Sequence, residues 1–170
     1  MDLELRRASI RDGDVVVDLL SVAARWMLDA GIRQWPDPFP HEIVEGSIER
    51  RETYLAFARG QVVGSTALYE EDPNWWGDRP PDALYVHRLV VSLEARGQNI
   101  GVQLLDWAQR QAATAGRTWL RLDCGTDNLR MRKYYEGLGF SHVEDVVVSL
   151  LGAGGDRGAW RGSLYERAAS

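Results

Sequence analysis

The chain has 170 residues, a formal net charge of −5 and a 45% apolar composition. This length favours one domain spanning residues 1–170, the apolar share excludes a disordered chain, and the charge gives no electrostatic case for a nucleic-acid partner. Cys124 is the only cysteine, which rules out an intrachain disulfide and a cysteine-rich metal site.

The first residues lack an apolar core of signal-peptide length, and no apolar run approaches a membrane span. A cytoplasmic protein with no membrane partner is the expectation. Lys133 is the only lysine. The preference for arginine reads as a bias of a GC-rich coding sequence and carries no functional signal.

In chain order, Leu3 to Ser9 alternates and predicts a strand. Asp12 or Asp14 caps a helix over about Val15 to Ala30, with an apolar stripe at Val15, Leu19, Val22, Trp26 and Ala30 and a stop at Gly31. Gln34 to Pro40 holds three prolines and cannot be regular structure. A short helix follows from about His41 to Arg51. Tyr54 to Ala58 and Gln61 to Leu68 flank Arg59-Gly60 and predict a hairpin. Tyr69 to Asp82 is a long acidic loop rich in Trp and Pro. Ala83 to Ser92 is an apolar strand suited to burial on both faces.

A helix then runs to about Ala115, with Ile100, Leu104, Ala108 and Ala112 on one stripe. Gly116 ends it. Thr118 to Cys124 is a strand. Asp127 or Asn128 caps a short helix that ends at Gly137 to Gly139. Phe140 to Leu151 and Ala159 to Glu166 predict closing strands, joined by the connection GAGGDRG. The central strand–helix–strand has the length of a right-handed parallel crossover. The remainder reads as antiparallel, giving a mixed α/β sheet flanked by helices.

Arg96-Gly97-Gln98-Asn99-Ile100-Gly101 sits where a strand gives way to a helix. The first amide groups of a helix lack intrahelical partners, and with the helix dipole they attract anions. Glycine permits close backbone approach, and Arg96 adds a charge-assisted contact of fork geometry. These residue types suit a pyrophosphate. The P-loop and dinucleotide glycine patterns are absent, and GAGGDRG has the wrong spacing for the latter.

The segment resembles the pyrophosphate loop of the GNAT superfamily of acyl-CoA-dependent N-acetyltransferases. That loop reads Arg or Gln, two residues, Gly, one residue, then Gly or Ala. Asn99 stands at its usual central glycine. Asn is the non-glycine residue that best tolerates positive φ, at a cost of ~1 kcal/mol. Further along, Asn128, Tyr135, Glu136, Gly139 and Phe140 match the family's second signature in register, with Met131 replacing its usual Ala. The element order matches too, so the resemblance covers nearly the whole chain. It implies the GNAT (acyl-CoA N-acyltransferase) fold, with a mostly antiparallel sheet and a central parallel crossover.

The resemblance further implies transfer of an acetyl group from acetyl-CoA directly to a primary amine of a small-molecule or peptide acceptor. Backbone of Leu89, Val90 and Val91 would pair with the pantetheine arm, and the amide of Leu89 or Val91 would face the carbonyl oxygen. Arg96 to Gly101 and Asn128 would hold coenzyme A. Tyr135 would donate to the departing sulfur, while Tyr134 lies 100° round the helix and is expected to pack. For the proton on the amine, His87 has the right titration range, and Glu70, Glu71 and Asp72 are its rivals. Cys124 is expected to be a buried strand residue, with no ping-pong role.

In this family the first two helices and the loop after the third strand form the acceptor site. Those regions hold Trp26, Trp35, Glu70, Trp75 and Trp76. Aromatic faces beside carboxylates would suit a cationic amine with an apolar part. His41, His87 and His142 lack metal-ligand spacing, so no metal is expected. A homodimer through the last strands is compatible with the resemblance. The alternative to an enzyme is a non-catalytic acyl-CoA-binding module, a sensor or partner of this fold.

Overall fold

The computed structural model describes residues 3–151 and 157–170. Its strands are β1 (Glu4–Arg7), β2 (Thr53–Ala58), β3 (Gln61–Tyr69), β4 (Ala83–Val91), β5 (Trp119–Gly125), β6 (Ser141–Leu151) and β7 (Arg157–Ala168). Its helices are α1 (Gly13–Asp29), α2 (His41–Glu49), α3 (Pro73–Trp76), α4 (Ile100–Thr114) and α5 (Leu129–Gly137). The strands form a seven-stranded sheet in the order β1-β2-β3-β4-β5-β7-β6. β4 and β5 are parallel, pairing Ala83 with Trp119, Leu84 with Leu120 and Tyr85 with Arg121. The β1–β2, β2–β3, β5–β7 and β6–β7 pairs are antiparallel. This is the mixed sheet expected from the sequence.

Turn chemistry sets several joints. Arg59 and Gly60 both have positive φ, 52° and 76°, the signature of a primed hairpin turn between β2 and β3. Gly31 follows α1 at φ 79°, and its N–H donates to the Leu28 carbonyl. Gly116 follows α4 at φ 69°, and Gly139 follows α5 at φ 83°.

Three expectations change. The acidic loop contains a single helical turn, α3, which Pro73 opens. β7 begins at Arg157, inside the connection GAGGDRG, whose residues Gly152 to Asp156 lie outside the described ones. The buried face of α1 is not the expected stripe: it is Val16, Val17, Leu20, Ala23, Ala24 and Met27. Val15, Val22 and Trp26 are exposed. The helix is apolar around most of its circumference, so periodicity alone admits two phases about 100° apart.

The chain divides into two compact units. One comprises Met1–Leu68 with His87–Asp106, the other Tyr69–Val86 with Trp107–Ser170. In the first, β2 separates two apolar clusters. Leu55 joins Val16, Val17, Leu20, Phe39, Val44 and Ile48 of the α1–α2 side. Its neighbour Ala56 joins Val63, Ala95, Ile100 and Leu104 on the α4 side. Successive strand residues thus serve opposite faces. In the second unit, Trp76, Ala83, Tyr85 and Leu164 form a cluster bordered by Trp75, Trp119 and Val146. The stripe expected on α4 is buried: Ile100, Leu104, Ala108 and Ala112 are all at most 1% exposed.

Candidate active site

In the first unit, β4 leads through a 3-10 turn at Leu93–Ala95 into the loop before α4. Gly97 and Asn99 are both left-handed, at φ 78° and 58°. A side chain at Gly97 would meet no atom within 4 Å, so the ground above its backbone is open. The first helical bond of α4 runs from the Gln103 N–H to the Asn99 carbonyl, 3.1 Å. The amides of residues 100–102 therefore precede the ladder, as at any helix start. Arg96, Gly97, Gln98 and Asn99 are exposed, and Ile100 anchors the turn in the core. The Arg96 guanidinium lies over the Trp26 ring, 3.7 Å from its centroid. Trp26, expected to line an acceptor site, thus lies beneath the arginine of this loop.

β4 carries a feature that sequence reasoning missed. Arg88 is left-handed at φ 48°, in the middle of a strand and just before Leu89. A non-glycine residue held there costs on the order of 1–3 kcal/mol and re-aims the backbone that follows. Arg88 Nη2 donates to Ser47 Oγ at 2.8 Å, and Ser47 Oγ sits 2.7 Å from Thr53 Oγ1. Ser47 and Thr53 are buried, so α2 and β2 anchor the kink. Beside it, Gly64 on β3 lets the strands approach. A Cβ there would come 2.6 Å from the Val90 carbonyl oxygen. His87 is half-buried, and its carbonyl accepts from Thr66 Oγ1 at 3.4 Å.

In the second unit, Asn128 caps α5, its Oδ1 accepting from the Met131 N–H at 3.2 Å. Two turns on, Tyr135 is buried and packs against Phe140 and Tyr165, with ring centroids 5.8 and 6.2 Å away. Burial, and then the neighbouring Cys124 and Asp123, push its hydroxyl well above the usual tyrosine range. It is therefore fully protonated at neutral pH and can act as a donor. Tyr134 is exposed, with its ring centroid 5.7 Å from that of Tyr135. Glu136 accepts from the Tyr165 hydroxyl at 2.8 Å, and that hydroxyl accepts from Arg132 Nε at 3.0 Å. The signature glutamate thus ties α5 to β7. Cys124 is buried, and desolvation followed by the charge of Asp123 pushes its thiol up to about 12. It is a thiol at neutral pH and a poor nucleophile.

Of the other residues expected at an acceptor site, Trp35 belongs to the first unit and Glu70, Trp75 and Trp76 to the second. Trp35 packs edge-on to Phe39 at 6.3 Å, within the first unit. Trp76 is buried against Tyr85, with the guanidinium groups of Arg79 and Arg121 over it. It is a packing residue. Glu70 is exposed, 3.7 Å from Arg117. Trp75 meets Trp160 edge-on, with centroids 4.6 Å apart. Sequence reasoning passed over Trp160. Its ring covers Gly162, where a Cβ would come 2.4 Å from it, and Gly125, where one would come 3.7 Å away. Asn128 borders the same glycine. The available signal was a tryptophan two residues before a glycine, on one face of the strand.

The family model described as "Acetyltransferase (GNAT) family" matches residues 20–140. An uncharacterized N-acetyltransferase of Bacillus subtilis, YesJ, is 29% identical over 145 residues, covering 80% of each chain. The aminoalkylphosphonate N-acetyltransferase of Salmonella typhimurium is 31% identical over 145 residues, covering 82% of this chain and 86% of its own. A GNAT-family acetyltransferase crystal structure from Listeria monocytogenes superposes with a TM-score of 0.78 at 25% identity, over 98% of this chain and 94% of that one.

Proposed function

We propose, on the premise that this chain belongs to the acetyltransferase (GNAT) family, that it transfers the acetyl group of acetyl-CoA to the primary amine of a small molecule. The observation that carries this reading is the loop before α4. Two left-handed residues, open ground over Gly97 and an arginine at the mouth fit the diphosphate of coenzyme A. Arg96 to Gly101 would hold that diphosphate, and Asn128 would contribute from the cap of α5. The backbone of Leu89, Val90 and Val91 would pair with the pantetheine arm. The left-handed Arg88 supports this, because such a residue inside a strand re-aims the backbone that follows it.

Acetyl-CoA would supply an activated acyl carbon. The acceptor nitrogen forms a bond to that carbon, the carbon–sulfur bond breaks, and the amine proton leaves to a base. Tyr135 is suited to donate a hydrogen bond to the departing sulfur, since burial keeps its hydroxyl protonated. Full transfer of its proton is not required. An amine of pKa ~10.4 costs about 4 kcal/mol to deprotonate near neutrality, so a nearby acceptor of protons matters. His87 is the candidate for that part.

A small-molecule acceptor is favoured by the curated relative named for aminoalkylphosphonates, which matches most of this chain. The exposed parts of Trp75 and Trp160 offer aromatic walls for an apolar portion. The test is release of CoA thiol from acetyl-CoA across a panel of aminoalkylphosphonates, polyamines, arylalkylamines and amino-acid amides. Turnover of at least one class is expected. Tyr135→Phe should lower its kcat at least several-fold while leaving acetyl-CoA affinity within about twofold. If acetyl-CoA binds and every amine fails, a non-catalytic acyl-CoA-binding module becomes the better reading.

A further inference from the structure

We propose that Trp26 is a positioning residue for Arg96, presenting its guanidinium to the diphosphate of coenzyme A. The proposal rests on coenzyme A binding at this loop. The centroid separation of 3.7 Å is stacking distance for a guanidinium plane on an indole. Stacking engages the face of the guanidinium, whereas its N–H donors point outward in its plane. A phosphate is bound by that edge. One arginine can therefore rest on the ring and grip an oxyanion pair at the same time.

The same pairing explains an otherwise costly exposure. Trp26 is 40% exposed, in the last turns of α1 and on its outward face beside the exposed Val22. Arg96 stands on an exposed loop, next to left-handed Gly97. Ordering such a side chain on binding opposes affinity. An indole already beneath it reduces that loss. In this role Trp26 meets the cofactor through Arg96, without serving the acceptor.

The experiment is calorimetric titration of CoA into wild type, Trp26→Phe, Trp26→Leu, Trp26→Ala, Arg96→Ala and the Trp26→Ala/Arg96→Ala double variant. Trp26→Ala and Trp26→Leu should weaken CoA by about three- to tenfold, and Trp26→Phe should restore it to within about twofold of wild type. In the Arg96→Ala background, removing the indole should change affinity by less than about twofold, because the partner is already gone. ADP, which carries a diphosphate and no pantetheine, should follow the same order. The proposal is overturned if Trp26→Ala weakens CoA equally in both backgrounds, since the indole would then touch ligand directly. It is also overturned if Trp26→Leu binds like wild type. Absence of CoA binding by the folded wild type would instead defeat the assignment of the loop.

Discussion

At the scale of single residues, the loop turns on Asn99. Its φ of 58° lies in the region glycine enters without cost and asparagine enters cheaply. The sequence alone raised the position, because an amide stood where the resembling family has glycine. A branched or bulky residue there would move the helix start against its own backbone preference. Asn99→Gly should therefore keep CoA affinity within a few-fold, whereas Asn99→Leu should weaken it at least tenfold. Equal dissociation constants for the two variants in calorimetry would refute the conformational argument. Legibility followed chemistry at this scale. Gly97, Asn99 and Asn128 were readable because loops and caps draw on few residue types. Arg88 was not readable, since nothing in the run HRLVV marks the residue that takes a left-handed φ. Composition also cannot tell a tryptophan under an arginine, as Trp26 is, from one in a core, as Trp76 is.

At the scale of elements, β5 holds a buried charge that joins three strands. Arg121 is 3% exposed. Its Nη1 lies 3.0 Å from Asp82 and 3.1 Å from the Tyr85 hydroxyl, and its Nε lies 3.0 Å from Glu166 of β7. Tyr85 lies on β4, and its hydroxyl accepts from Arg121. The carboxylates are more exposed than the guanidinium, with side chains 35% and 21% accessible against 4%. The consequences of breaking the group are therefore unequal. Losing the arginine leaves carboxylates that water can reach. Losing both carboxylates strands a buried cation, which costs about 3–5 kcal/mol. Chemical denaturation should find the Asp82→Asn/Glu166→Gln pair the less stable, and Arg121→Met the milder change. The reverse order would mean that the guanidinium is hydrated in the folded chain. The elements themselves were largely legible, because hairpin turns, glycine stops and the single-phase stripe of α4 are local signals. The phase of α1 was not, since a helix apolar on most sides takes its orientation from what packs on it.

At the scale of the molecule, two compact units share two elements. β4 passes from one unit to the other between Val86 and His87, and α4 does so between Asp106 and Trp107. Neither unit holds all of β4 or all of α4, so a single cooperative melting transition is the expected outcome. On the proposed reading, acetyl-CoA should then stabilise that transition by mass action, because it binds the folded chain and not the unfolded one. At a hundredfold excess over its dissociation constant the ligand contributes about 2.7 kcal/mol. For a chain of this size that corresponds to a rise in Tm of roughly 5–10 °C. Scanning calorimetry at increasing acetyl-CoA should show the whole peak moving upward, and Arg96→Ala should need proportionately more ligand for the same rise. A peak that splits, with only part of it moving, would mean that the units melt separately and that one alone carries the ligand. A peak unmoved by millimolar acetyl-CoA would remove the cofactor from this fold altogether.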